Sequence, residues 1–166
     1  HIWNWSKGGL SLEEDTATKV DVDELGKALR SSDESKRIES AYLLAVSHDS
    51  KSESLLFEAL EDDSESTRRA GCYGIRASIA PDVERLIKLT RAKRVSTRRM
   101  AVYALGAHVL LNEKEVVAAL IDRLKLDKDD LVRSNSAYTL GQVLRQARHC
   151  ATEIIDALIE RLVAGV

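Results

Sequence analysis

Ser96-Thr97-Arg98-Arg99-Met100-Ala101-Val102-Tyr103-Ala104-Leu105-Gly106 is one copy of a segment that the chain carries four times. Aligned on an arginine, the copies fall at Arg37, Arg68, Arg98 and Arg133. Four residues on stand Ala41, Cys72, Val102 and Ala137, and seven on stand Leu44, Ile75, Leu105 and Leu140. Five residues on stand Tyr42, Tyr73, Tyr103 and Tyr138, which are all the tyrosines of the chain. The arginines are 31, 30 and 35 residues apart, the period of a solenoid unit.

Each residue of a helix turns about 100°, so offsets three, four, seven and eleven from the arginine share one stripe. Offset three is always small: Ser40, Gly71, Ala101 and Ser136. Small side chains let a neighbouring helix approach, which makes this stripe the packing face. The tyrosines stand at its edge. These second helices are expected at Glu34–Ser47, Glu65–Ile79, Val95–Leu111 and Asp130–Gln146, with Asp33 and Asp129 as N-caps.

A first helix precedes each copy, marked by apolar residues three and four apart. The pattern predicts Val22–Arg30, Ser54–Glu61, Pro81–Arg91 and Glu115–Lys125, with Asp21 as the first cap and Pro81 in a first turn. A fifth helix of this type is expected at Thr152–Val163, with no second helix after it. Its apolar residues Ile155, Leu158, Ile159 and Leu162 are then expected to stay open and to support weak self-association. Residues 1–20 lie outside the repeat and hold both tryptophans, Trp3 and Trp5. They read as an N-terminal arm covering the first unit, or as the tail of an upstream region. Residues 21–166 read as one array, truncated at its C-terminus.

At Asp130-Leu131-Val132-Arg133-Ser134-Asn135-Ser136-Ala137-Tyr138-Thr139-Leu140-Gly141 the chain resembles the HEAT-like repeats of the phycobilin-lyase type. Those have an acidic turn residue, Val-Arg, two small residues, a variable position and Ala-Leu-Gly. The first copy departs with Ala45 for the glycine, and the second with Gly74-Ile75-Arg76 for Ala-Leu-Gly. The resemblance covers about residues 21–163. It implies an all-α fold: a right-handed α-solenoid, or armadillo-like α-α superhelix, of four helix pairs plus one extra helix. Second helices would line its concave side. It also implies a ladder of aspartates and arginines between adjacent turns. Four residues before each arginine stand Asp33, Ser64, Arg94 and Asp129, so the two middle arginines are expected to lack their acid.

No constellation in the chain points to catalysis, a cofactor or a metal. His48, His108 and His149 fall in different units, without ligand spacing. No Gly-rich phosphate loop or nucleophile elbow occurs. Cys72 and Cys150 have no metal spacing and suggest a reducing, cytoplasmic setting. No run is long enough to span a membrane. Net charge is −2, but residues 64–148 carry 17 basic and 9 acidic side chains, against 7 and 15 in residues 1–63. Within Arg91–Arg99 five of nine residues are basic and none is acidic. That stretch reads either as an anion-binding patch, with nucleic acid among its partners, or as a solvated turn.

The functional expectation is a non-enzymatic protein-binding scaffold. Tyr42, Tyr73, Tyr103, Tyr138, Arg69 and Arg99 are its candidate contacts, facing a partner of acidic or apolar surface. The resemblance leaves two other classes open. One is an enzyme or enzyme subunit, a phycobilin lyase component or a HEAT-like DNA glycosylase. The other is a regulatory tail of an upstream catalytic domain.

Overall fold

In a computed structural model, residues 21–164 are described apart from 48 and 50. The expected arm at residues 1–20 lies outside the described residues. All regular structure among those described is helical. The α-helices are α1 Val22–Leu29, α2 Glu34–Val46, α3 Ser52–Leu60, α4 Glu65–Ala77, α5 Val83–Leu89, α6 Val95–Leu105, α7 Glu113–Leu126, α8 Asp130–Val143 and α9 Ala151–Val163. The fold is an all-α solenoid of four helix pairs plus one helix. None of these helices is long and apolar enough to cross a membrane.

The helices begin where short polar side chains replace missing intrahelical partners. Asp21 accepts from the N–H groups of Asp23 and Glu24, Asp33 from Ser35, Ser64 from Thr67, and Asp129 from Leu131 and Val132. Pro81 is not in a first turn, as expected, but just outside α5. Asp82 caps that helix, its carboxylate 2.9 Å from the Arg85 N–H.

The ends correct the sequence reading. α4 stops at Ala77, because Ser78 turns to extended backbone and its hydroxyl bonds back to the Gly74 carbonyl at 3.2 Å. Ile79, at the eleventh offset, therefore leaves the stripe and is 94% exposed. α6 stops at Leu105 instead of Leu111. The chain turns through Gly106 and re-enters the core as one turn of 3₁₀ helix at Val109–Leu111, with Val109 buried. A Cβ on Gly106 would fall 2.6 Å from the Thr139 methyl of α8, so the turn needs glycine to reach its neighbour. α8 likewise ends at Val143 rather than Gln146.

The core forms between two layers. The second helices stack in the order α2, α4, α6, α8 and pack on one another more extensively than the first helices do. Leu44, Ile75, Leu105 and Leu140 are fully buried between the layers with Leu56, Leu60, Leu86, Leu120 and Leu124. Each contributes about 1.5–3 kcal/mol of apolar transfer. The small offset-three residues are buried as expected. At Gly71 the neighbour is backbone: a Cβ there would lie 2.8 Å from the Leu56 carbonyl oxygen and 2.9 Å from the Leu60 nitrogen.

Candidate functional site

The offset that puts tyrosine at the edge of the core stripe leaves all four rings part-exposed on the second-helix layer, from 38% for Tyr103 to 62% for Tyr138. The helix spacing brings two of them together. Arg69 and Tyr73 of α4, Arg99, Met100 and Tyr103 of α6, and Asn135 of α8 line a groove of about 150 Å³. Four of the six candidate contacts thus share one surface. Tyr42 and Tyr138 stand at the same offset on α2 and α8 but do not line this groove.

Two features shape the groove. The guanidinium of Arg76 lies 3.8 Å from the centre of the Tyr103 ring, and its Nη1 donates to the Tyr103 carbonyl. The stacked cation pins that ring and raises local positive charge. Arg69 bonds Glu65 at 3.3 Å along its own helix, whereas Arg99 has a buried Nε with no hydrogen-bond partner in the structure. Cys72 lies beneath the groove, 2% exposed, its thiol directed at the Met100 carbonyl at 3.4 Å. Burial pushes that thiol up to about 12, far from reactive thiolate chemistry. Cys72 and Cys150 are both free.

The charged turns differ from the sequence reading in a specific way. The ladder acid stands six residues before an arginine, not four, and it serves the arginine of the preceding unit. Arg37 Nε donates to Asp62 at 3.2 Å. Arg98 Nε and Nη2 hold Asp127 at 2.9 and 3.0 Å. Arg98, expected to lack its acid, therefore has one. Burial by itself would raise the Asp127 carboxyl. Hydrogen bonds from Arg98 and the Asp129 N–H, with the charges of Arg98 and Arg123, outweigh it and hold the group below its usual range. Among the described residues Arg68 alone of the four ladder arginines forms no ion pair, and the equivalent position is Ala92.

The basic stretch Arg91–Arg99 is less of a patch than its composition suggests. Arg91 pairs with Asp122 at 3.1 Å, Arg94 with Asp63 at 2.6 Å, and Arg98 with Asp127. The Arg94 hydrogen bond holds the Asp63 carboxyl below its usual range. Acids distant in sequence thus pair with three of its five cations.

Three further residues escaped sequence reasoning. Arg76 departs from the repeat pattern, and that departure was the only available signal for its place over Tyr103. Glu113 of α7 accepts three consecutive N–H groups, those of Arg148, His149 and Cys150, at 2.7–2.9 Å, and so fastens the start of α9. The His149 N–H foremost holds its carboxyl below the usual range. His108 is buried and its Nε2–H donates to the Ile75 carbonyl at 2.9 Å, tying the end of α6 to α4. Among the described residues no three His, Cys, Asp or Glu side chains gather as a metal site. On α9, Ile155, Ile159, Leu162 and Val163 are exposed, while Leu158, expected on that open face, packs against the core.

Residues 83–164 match the family model of HEAT repeats. No curated protein gives a significant match. Among solved structures, two crystal structures of engineered proteins from the Northeast Structural Genomics Consortium are similar to the chain. One is 20% identical, with a TM-score of 0.53 over 85% of this chain and 68% of its own. The other is 20% identical, with a TM-score of 0.54 over 87% of this chain and 72% of its own. At such identity the likeness shows the fold alone.

Proposed function

Taking the chain as what it is, a HEAT-like repeat protein, we propose that it is a binding scaffold whose second-helix face holds a protein partner of acidic and apolar character. The observation that carries this reading is the groove in which Tyr73, Tyr103, Arg69 and Arg99 meet. Rigid aromatic rings beside guanidinium groups supply anchors and charge-assisted hydrogen bonds together. The part-exposed Tyr42 and Tyr138 extend the same row on either side. Arg99, with an Nε that has no hydrogen-bond partner among the described residues, is the group that gains most from an incoming acid. A protein segment suits the groove better than nucleic acid, because Arg91, Arg94 and Arg98 are already paired.

A photo-crosslinking residue at position 103 should capture the partner in cells of the source organism. Arg69→Glu with Arg99→Glu should then weaken the purified complex at least tenfold and flatten its salt dependence, with helix content unchanged. Tyr103→Ala should chiefly speed dissociation. A partner whose affinity and salt response ignore both changes would move the site off this face.

We place the chain in the cytoplasm, since two free, buried thiols suit a reducing compartment. We assign the exposed stripe of α9 to weak self-association. Ile159→Glu with Leu162→Glu should abolish any concentration-dependent dimer seen by sedimentation; a dimer that survives would locate the contact elsewhere.

A further inference from the structure

Arg68 differs from the other ladder arginines in what surrounds it, not in how it is held. Nη1 of Arg37 donates to the carbonyls of Ser31 and Ser32 at 3.0 and 3.3 Å. Nη1 of Arg98 donates to Ala92 and Lys93 at 3.0 Å each, and Nη1 of Arg68 to Asp62 and Asp63 at 2.6 and 2.8 Å. One guanidinium edge is therefore fixed the same way in the first three units. Because the group is planar, its Nε edge faces the next turn in those three units too. In that turn Arg37 finds Asp62 and Arg98 finds Asp127. Arg68 finds Ala92. Arg68 is 5% exposed, and its Nε is buried without a hydrogen-bond partner among the described residues; the Arg133 Nε is likewise unpartnered, but Arg133 pairs with Asp130.

A second donor points to the same place. The ladder acid normally also accepts the N–H two residues on: Ser64 N–H bonds Asp62 at 2.8 Å, and Asp129 N–H bonds Asp127 at 3.0 Å. At the corresponding place stands Ala92, which offers no carboxylate, and the Arg94 N–H makes no hydrogen bond among the described residues. Arg94 is the N-cap of α6 and offers no side-chain cap to its first turn. The nearby acids are engaged elsewhere, Asp62 with Arg37 and Asp63 with Arg94. Burial and then the Arg94 charge press the Arg68 guanidinium below its usual range, the mark of a cation short of a counter-charge.

We propose that Arg68 Nε and the Arg94 N–H form a binding site for one carboxylate, seated where the side chain of a ladder aspartate would be. The geometry favours carboxylate over phosphate. The donors are the equivalents of those that hold Asp62 and Asp127 in this same chain. The site stands independently of any partner in the groove.

The test follows the Arg68 Nε–Hε and Arg94 amide resonances of the ¹⁵N-labelled protein, with Arg68→Lys identifying the former. Sodium acetate is titrated against sodium chloride at matched ionic strength. A Gly-Glu-Gly peptide is titrated against Gly-Gln-Gly, and inorganic phosphate separately. Both resonances should shift saturably with acetate and the Glu peptide, and not with chloride or the Gln peptide. Tighter binding of the peptide would mark a side chain as the natural ligand, and equal binding a free acid; either result sustains the site. Ala92→Asp should supply the carboxylate in cis, show the bound-like shifts without ligand, melt several degrees higher and no longer titrate. Absence of a saturable shift, an unchanged acetate response in Ala92→Asp, or tighter binding of phosphate than acetate would overturn the proposal.

Discussion

On one side of α6, Arg98 closes on Asp127 with two hydrogen bonds, and Arg123 adds a third contact at 3.3 Å. On the other side, the position equivalent to that acid is Ala92, and the α3–α4 unit is joined to α6 and its flanking turns mainly by side chains that reach backbone carbonyls, with one exposed ion pair, Arg94–Asp63. Arg94 bonds the Asp62 carbonyl, Thr97 the Leu60 carbonyl, Arg76 the Tyr103 carbonyl and His108 the Ile75 carbonyl. Two joints with the same helix geometry thus rest on different chemistry. A buried ion pair can be completed from either of its charged partners. A donor set aimed at carbonyls depends on the backbone register of both units.

The comparison breaks most sharply at the arginines. Arg98→Met should cost about 3 kcal/mol, because it strips Asp127, 2% exposed, of its principal partner. Arg68→Met should cost no more than about 1 kcal/mol, since the lost cation had no carboxylate and the apolar chain fills the same space. Chemical denaturation of both variants measures the contrast; equal costs would remove the distinction between the joints. Next in size, Gly71→Ala should destabilise by about 1–3 kcal/mol, because its Cβ meets the backbone of α3 rather than a movable side chain. Ala101 already carries that methyl at the equivalent place in the next unit. A neutral Gly71→Ala would mean that the second unit has slack.

The smallest effect is a pH dependence at the α4–α6 joint. Burial holds the His108 imidazole below its usual range, against the opposing bond to Ile75. The folded pKa is thus below the unfolded value of about 6.5, so the unfolded chain takes up the proton first as pH falls. Stability should therefore decline as pH drops below about 6.5. His108→Gln keeps a donor for Ile75 and should lose that slope while keeping any carboxylate-driven loss below about pH 5. A slope that survives in His108→Gln would assign it to another group.

The periodicity that disclosed the repeat belongs to the local chain, and the features it governs were legible. Leu105 at offset seven is buried, Ala101 at offset three is packed, and Asp33 and Asp129 cap their helices. The tyrosine row and its two arginines were placed on one face for the same reason. The ladder was misread because the chain carries aspartates at two offsets. Those four before an arginine bond nearby N–H groups within their own turn. Those six before it bond an arginine 25 or 29 residues upstream. No local pattern separates the two roles. The ends of α4 and α6 failed differently. Ile79 and Val109 continue the apolar rhythm at offset eleven, but Ser78 and Gly106 break the helix first; Ile79 then leaves the core, and Val109 returns to it only through the 3₁₀ turn. The pairing of Arg91 and Arg94 with acids of other units was likewise beyond a composition count.

Glu113 gives the last helix a different kind of attachment. Three amide protons converge on one oxygen, so a single carboxylate sets the angle at which α9 leaves the stack. In mechanical terms this is a pivot, and the contact of α9 with α7 is the stop against which it rests. Hydrogen bonds lose their strength within a fraction of an ångström, whereas apolar contact yields gradually. Pulled from its C-terminal end, the array would release this latch in one abrupt step, while the layers behind it stretched first and parted later.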